Sequence, residues 1–175
     1  MSDELTATGR VILGMLALGK NTGYDIKQLV DKSTRHFWAA SYGQIYPELR
    51  RLEEQGLVRG RSEPSGGRPR TVYELTGAGE AALRGWLESP AEPIYEVRDE
   101  SMLKLFFSDS APGSRADILR AMRAMHERTL AQLRAIEQHA RAGSPGPSLT
   151  WQLGVAMSEW MVDWCERQLA EQAKE

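Results

Sequence analysis

The chain has 175 residues, of which 41% are hydrophobic, and its 22 Lys and Arg and 24 Asp and Glu give a formal net charge of −2. This length allows one domain or two small ones, and the hydrophobic content is sufficient for a packed core, so neither a large multidomain enzyme nor a disordered chain fits. The charge excludes a uniformly basic coat, and the single cysteine, Cys165, excludes an internal disulfide, which favours a cytoplasmic protein.

Two helices are predicted at the start of the chain. The apolar positions between Leu5 and Leu18 suit a helix that is buried on most sides, and Gly19 provides the left-handed position that commonly ends one. Thr22 and Asp25 have the spacing of an N-terminal cap, and apolar residues then recur at helical spacing to about Arg35. The sequence therefore predicts two consecutive helices joined by a short turn.

A third short helix follows, with one apolar side. Ser41 and Gln44 form a second capping pattern, and Gly56 ends the helix. Pro47 is compatible with this helix if it begins near Gly43, because a proline in the first turn removes no intrahelical hydrogen bond. We therefore expect an irregular or slightly kinked start. The apolar residues at steps of four and three are Ile45, Leu49 and Leu52.

A β-hairpin and a fourth helix complete the first predicted domain. Two short runs with β-branched and aromatic residues, 57–62 and 70–75, flank a loop of Pro, Ser and Gly, which is the pattern of a hairpin. Thr76 then caps a helix, and a segment with two prolines, 89–93, ends it. We expect the first domain to comprise residues 1–90.

The second domain, 91–175, is predicted to be helical throughout. We expect a short element over 97–108, a long helix from Ser114 to about Ala142, and a last helix from Ser148 to the C-terminus. The apolar stripe predicted on the long helix comprises Ile118, Met122, Met125, Thr129, Leu133 and Ile136. The stripe on the last helix comprises Leu149, Leu153, Met157, Trp160, Met161 and Trp164. Because two helices cannot hide both stripes from water, we predict that this domain pairs two subunits in a homodimer.

Three short helices followed by a two-stranded hairpin form the order of a winged helix-turn-helix. In that fold the third helix enters the major groove of double-stranded DNA, and the hairpin, or wing, lies along the backbone or an adjacent minor groove. The polar side of helix three carries Gln44, Arg50 and Arg51, and arginine and glutamine can pair with guanine and adenine. Four arginines of the wing have no comparable acidic set beside them in sequence, which favours a phosphate partner. A winged helix that contacts only proteins stays open as the alternative.

Three segments carry a resemblance to a known family: GYDI at 23–26, SYGQIYPELRRLEEQGLV at 41–58 and GRPRTVYELT at 67–76. They are similar to the PadR family of transcriptional regulators, and the helical remainder resembles the subgroup with a longer tail. The resemblance implies a homodimeric winged-helix protein that binds an inverted-repeat operator and usually acts as a repressor. In several members of the family, a small and often aromatic molecule releases the protein from DNA. The candidate DNA contacts are Tyr24, Ser41, Gln44, Tyr46, Arg50, Arg51, Arg59, Arg61, Arg68 and Arg70.

The aromatic and thioether residues of the last helix suit a flat apolar effector as well as a packed interface. Aromatic faces and deformable thioethers accommodate such molecules, but a stripe at helical spacing more often serves core or dimer packing, and both interpretations stay open. The candidate effector contacts are Trp151, Met157, Trp160 and Trp164.

No catalytic, metal or cofactor motif emerges. Cys165 with His126 or His139 is the one conceivable start of a catalytic group, and Cys165 falls within the tryptophan-rich stripe, where a buried thiol is the usual role. His36 and the other two histidines have no second ligand at metal spacing. No apolar stretch approaches the ~18 residues that span a bilayer. We therefore expect no enzyme, no metal, no cofactor and no membrane partner.

Overall fold

The computed structural model describes residues 5–34, 37–38, 42–64, 70–91 and 97–174. The elements in chain order are α1 (Ala7–Ala17), α2 (Gly23–Lys32), α3 (Ile45–Glu54), β1 (Val58–Glu63), β2 (Arg70–Leu75), α4 (Gly77–Leu87), α5 (Glu100–Phe106), α6 (Arg115–Ala135), α7 (Glu137–Ala142) and α8 (Pro145–Gln172). The predicted fold class, mainly α with one small hairpin, is confirmed. The chain divides into two compact units, 1–93 and 94–175. None of the described helices is long and apolar enough to cross a bilayer.

Local sequence signals determine where the helices of the N-terminal unit begin and end. The hydroxyls of Thr22 and Thr76 each accept a hydrogen bond from the amide three residues on, at 3.0 and 3.1 Å, which satisfies donors that have no partner inside the helix. Gly19 and Gly56 follow α1 and α3 with φ of 79° and 70°, a region that glycine enters without strain. These predicted helix ends are confirmed.

The start of α3 is irregular, as expected from Pro47. A single 3₁₀ turn over Tyr42–Gln44 precedes the α-helix, which places Pro47 in the first α-helical turn. The predicted capping role of Gln44 is wrong, because Gln44 stands at the N-cap position itself and its side chain forms no cap hydrogen bond. Its Oε1 instead accepts a long bond from the Thr8 hydroxyl, at 3.5 Å. Ser41, its predicted partner, lies outside the described residues.

Three helices bury the core of the N-terminal unit. The side chains that are completely excluded from water are Ile12 and Leu13 of α1, Ile26 of α2, and Leu49 and Leu52 of α3. Burial of each such side chain contributes about 1.5–3 kcal/mol to the free energy of unfolding. A helix of ten residues is marginal by itself in water, so α3 exists because its apolar side is packed in this core.

The hairpin pairs in antiparallel register from Val58 opposite Leu75 to Glu63 opposite Arg70. Its base joins the helices at two places. The Tyr73 amide donates to the Asn21 carbonyl at 2.7 Å, just before α2. At α4, a Cβ on Gly79 would lie only 2.0 Å from the Leu57 carbonyl oxygen, so glycine alone permits this close approach.

The C-terminal unit is built around an antiparallel pair of long helices, α6 and α8. Arg123 of α6 lies 3.8 Å from Glu166 of α8, and Arg134 lies 2.9 Å from Glu159. Asp99 caps α5 by accepting the Ser101 amide at 2.8 Å.

Two predicted boundaries in this unit are wrong. The helix expected from Ser114 to Ala142 is interrupted at Ile136, where the Leu133 carbonyl accepts the Ile136 amide at 3.2 Å and the Trp151 indole at 2.9 Å. The last helix begins at Pro145 and not at Ser148, because proline fits the first turn of a helix.

The predicted apolar stripe of α6 is correct only in part. The buried positions are Leu119, Met122, Leu130 and Leu133, whereas Met125 is exposed and Ile118 and Ile136 are half-buried. The predicted and the buried series share Met122 and Leu133, and the buried series has Leu119 and Leu130 where the prediction had Ile118 and Thr129. In α8 the buried residues are Trp151, Ser158 and Cys165, so most of the stripe predicted for this helix faces outward in the single chain.

We predict that Gly79→Ala destabilises the protein by about 2 kcal/mol or more, because the new Cβ clashes with the Leu57 carbonyl and forces α4 away from the hairpin. Urea unfolding of the full chain measures the change. Gly85→Ala is the matched control on the same helix, since its Cβ meets nothing within 4 Å and should stabilise by about 0.5–1 kcal/mol. Equal stability of the two variants would contradict the close approach.

Candidate nucleic-acid interface and C-terminal groove

The exposed side of α3 presents polar side chains that can contact base edges. Gln44, Tyr46 and Arg50 are exposed. The apolar residues on the opposite side of the helix are buried in the core. No ion pair of Arg50 occurs among the described residues, which leaves its five N–H donors for a partner. An exposed arginine and amide on a helix are suited to hydrogen bonds with guanine and adenine in the major groove.

The Tyr46 ring lies where α2 approaches α3. A Cβ on Gly23 would lie 2.6 Å from the Tyr46 ring, so the absence of a side chain there allows the ring to pack against the start of α2. Tyr24 is exposed, and its hydroxyl accepts a bond from Gln28 Nε2 at 2.6 Å. The structure thus places Tyr46 against the residue that precedes Tyr24 in the chain, and both tyrosines are exposed.

Arg51, also predicted on the polar side of α3, is half-buried, with 38% of its side chain exposed. Its Nη1 lies 3.2 Å from Glu48 Oε1, and this carboxylate also accepts the Thr6 hydroxyl at the start of α1. Glu48 is nearly buried, with 12% of its side chain exposed, and therefore needs these donors. Glu48 therefore ties α3 to the start of α1, and Arg51, which is paired with it, is less available to a partner than Arg50.

The wing, which we define as β1 and β2, carries its arginines on one side. Side chains alternate along a strand, so Arg59, Arg61 and Glu63 share a side, and the register adds Arg70 opposite Glu63. The expectation that no acid neutralises these arginines is wrong for two of them: Glu63 lies 2.8 Å from Arg61 and 3.3 Å from Arg70. Arg68 lies outside the described residues.

Glu53 holds the wing against the end of α3. Its Oε1 accepts the Gly60 amide of β1 at 2.8 Å, and a Cβ on Gly60 would come equally close to that oxygen. Burial raises the pKa of the neighbouring Tyr73 hydroxyl, and the Glu53 carboxylate raises it further. Sequence analysis missed Glu53, and a glycine inside a strand was the available signal of a close approach.

A groove in the C-terminal unit contains part of the predicted effector site. It has a volume of about 320 Å³ and is lined by Met102, Leu105 and Phe106 of α5, Met122 of α6, and Trp160, Met161 and Trp164 of α8. The rings of Trp160 and Trp164 are stacked with centroids 6.4 Å apart. All seven lining residues are apolar or aromatic.

The other two predicted effector contacts do not line this groove. Trp151 is buried, donates its indole N–H to Leu133 and lies under the Arg141 guanidinium at 5.1 Å, so its role is packing. Met157 is exposed on α8 outside the groove.

Burial disfavours the charged forms of Cys165 and His126. Burial raises the pKa of the Cys165 thiol, which disfavours the thiolate, and burial lowers the pKa of His126 despite the Asp99 carboxylate. Within the described ranges, no three potential ligands lie close enough together to hold a metal ion.

Comparison with known proteins identifies both units. Residues 12–85 match the transcriptional regulator PadR-like family, and residues 97–172 match the C-terminal region of virulence activator alpha. The N-terminal unit therefore contains a PadR-like domain. The C-terminal match agrees with the subgroup with the longer helical tail that the sequence predicted.

Individual relatives agree with this assignment. The negative transcriptional regulator PadR of Bacillus subtilis is 40% identical over 98 residues, which cover 55% of this chain and 53% of that protein, so the match spans about half the length of this curated relative. The structure of B. subtilis PadR in complex with operator DNA is similar with a TM-score of 0.82 and 29% identity, covering 93% and 96% of the two chains. The virulence activator AphA of Vibrio cholerae is similar with a TM-score of 0.68 and 28% identity, covering 96% and 99%.

We predict that Glu53→Ala loosens the wing of this PadR-like protein. Loss of a hydrogen bond to a charged acceptor should speed amide hydrogen exchange at Gly60 by about tenfold and lower the pKa of Tyr73. Exchange by NMR and ultraviolet titration of tyrosine measure the two effects. Glu54→Ala removes the same charge one residue on and should change neither; equal effects of both variants would show that charge alone is responsible.

Proposed function

We propose that the protein is a sequence-specific repressor that binds double-stranded DNA in the cytoplasm as a homodimer, on an inverted-repeat operator. The observation that carries the proposal is the exposed side of α3, with Gln44 and Arg50, beside a basic wing that Glu53 fixes to the same helix. The helix fits the major groove and the wing fits the phosphate backbone. The complex of B. subtilis PadR with operator DNA, and the naming of that relative as a negative regulator, support the proposal.

A winged helix that contacts only proteins is not favoured. The centre of a protein interface is depleted in charged residues and enriched in apolar ones. The exposed side of α3 carries arginine, glutamine and glutamate, with Tyr46 as its one large apolar ring. An enzymatic role is not favoured either, since the family consists of transcriptional regulators and Cys165 is buried.

Replacement of single arginines tests the division of roles within the interface. We expect Arg70→Ala to weaken binding to all sequences and to flatten the slope of log K against log salt by about 0.9 for each phosphate that is no longer neutralised. Arg50→Ala should instead cost about 1–3 kcal/mol on the operator and little on unrelated DNA. Fluorescence anisotropy over a salt series measures both.

The control for that experiment is Arg84→Ala, which removes an exposed positive charge from α4. It should leave both affinities nearly unchanged. Equal losses on operator and unrelated DNA in Arg50→Ala would contradict base recognition by α3, and retention of wild-type salt dependence in Arg70→Ala would contradict phosphate binding by the wing.

We further propose that the homodimer forms through the C-terminal unit. The outer side of α8 exposes Leu149, Leu153, Met157 and Trp160 to between 58% and 64% of their full area, and α5 adds Phe106 at 80%. Contiguous apolar surface of this kind marks a protein interface. A symmetric dimer presents two copies of α3, and the operator of such a dimer is an inverted repeat.

Leu153→Glu should weaken the dimer by about 2 kcal/mol or more, which is about 30-fold in the dissociation constant, because it buries an unpaired charge. Leu153 is exposed in the single chain, so the fold itself should be unaffected. Sedimentation equilibrium measures the change, and Gln152→Glu is the control with the same added charge on the neighbouring residue. A dimer that survives in Leu153→Glu would place the interface elsewhere.

We also propose that the groove beside Trp160 and Trp164 binds a flat, mostly apolar effector that releases DNA. B. subtilis PadR has been crystallised with p-coumaric acid, which supports an aromatic ligand. A ligand releases DNA when it binds more tightly to a dimer whose two α3 helices are not spaced to fit the operator. Bound DNA then weakens ligand binding by the same coupling free energy.

The apolar lining predicts that p-coumaric acid methyl ester binds more tightly than the charged acid, because the groove offers no cation for the carboxylate. Calorimetric titration of the protein with both compounds measures the difference. Trp160→Ala should weaken ester binding by about tenfold or more, and Trp86→Phe in the N-terminal unit should not. Tighter binding of the acid, or no effect of Trp160→Ala, would contradict this site.

A further inference from the structure

One carboxylate lies between two arginines of the wing. Glu63 Oε1 is 2.8 Å from Arg61 Nη2, and Glu63 Oε2 is 3.3 Å from Arg70 Nη2. Glu63 and Arg70 are directly opposed in the hairpin, and Arg61 precedes Glu63 by two residues on the same side of β1. Each carboxylate oxygen therefore contacts a different guanidinium.

This arrangement lowers the attraction of the wing for any polyanion. Phosphate contacts dominate non-specific DNA binding, and their strength follows the local positive charge. A carboxylate within hydrogen-bonding distance of two arginines cancels part of that charge. Because exposed ion pairs are weak, DNA phosphates can still compete for the guanidinium groups.

The same carboxylate also orders the two arginines. Arginine has five N–H donors, and the hydrogen bonds to Glu63 use Nη2 of each guanidinium. The arginine side chains are 66% and 57% exposed, whereas that of Glu63 is 30% exposed, so the carboxylate is the least accessible member of the group and the remaining donors face solvent. Long side chains that are already ordered lose less conformational entropy when they form fixed contacts.

We propose that Glu63 is a specificity-determining residue of the DNA interface, which weakens non-specific binding while holding Arg61 and Arg70 in position for the operator. The inference rests on the proposed function, since it requires that the wing contacts DNA. In a non-specific complex the arginines stay mobile, so removal of the carboxylate only increases the attraction. In the operator complex the stronger attraction is offset by the entropy cost of ordering Arg61 and Arg70, which Glu63 no longer holds in place.

Glu63→Gln tests the inference in the full chain. The two probes are a duplex that the wild-type protein selects from a random-sequence pool and a scrambled duplex of the same length and composition. We expect affinity for the scrambled duplex to rise about three- to tenfold and affinity for the selected duplex to change by about twofold or less, so the specificity ratio falls. Circular dichroism checks that the variant is folded.

Glu74→Gln is the matched control. Glu74 lies on the same side of the wing, opposite Arg59, and forms no ion pair among the described residues. It should raise both affinities by the same small factor and leave the ratio unchanged. If Glu63→Gln also raises both affinities equally, the effect is one of net charge and the inference is wrong.

A second background shows whether Glu63 acts through the arginines. In Arg61→Ala/Arg70→Ala the ratio should no longer respond to Glu63→Gln, and a response that persists there overturns the inference. Failure of the proposed function has a different signature: the wild-type protein then selects no duplex, or binds selected and scrambled DNA equally. That outcome would contradict both the proposed function and the inference about Glu63.

Discussion

The proposed DNA interface depends on the burial of one side of α3. Ile45, Leu49 and Leu52 are at most 4% exposed and pack into the core formed with α1 and α2. Because these side chains repeat at helical spacing, their burial determines the rotation of the helix as well as its position. Arg50 and Tyr46 point outward as a direct consequence. A rotation that exposed Leu49 would also turn Arg50 towards the apolar core, so the packing that stabilises the unit also selects which side chains meet DNA.

The helix ends and the hairpin could be predicted because their signals are local. Thr22 caps α2 through a contact three residues away, and Gly56 ends α3 by its own backbone conformation, so no distant residue is needed. The buried side of α6 could not be predicted in this way. Ile118 and Leu119 begin two apolar series with similar spacing, and the helices that pack on α6 in the folded unit determine which is buried. The break at Ile136 likewise involves Trp151, which is distant in sequence.

The same distinction applies to the proposed interface. Arg50 and Arg70 could be predicted as candidate contacts because an arginine on a helix or a hairpin can be read directly from the sequence. Glu48, Glu53 and Glu63 were missed because their roles depend on pairs that only the fold creates. Glu53 meets Gly60 across the junction of helix and strand, and Glu63 meets Arg70 only once the register of the hairpin is known.

These glutamates also explain how a chain with a net charge of −2 can present a surface for a polyanion. At physiological ionic strength, charges are screened beyond about 8 Å, so acidic residues far from the wing have little influence on a bound phosphate. The acids within that distance do have influence, and Glu48 and Glu63 lie directly against arginines. If the protein binds DNA as proposed, its affinity depends on these close pairs of charges more than on the net charge. A single substitution within such a pair can change binding more than several substitutions on the far surface that alter the total charge equally.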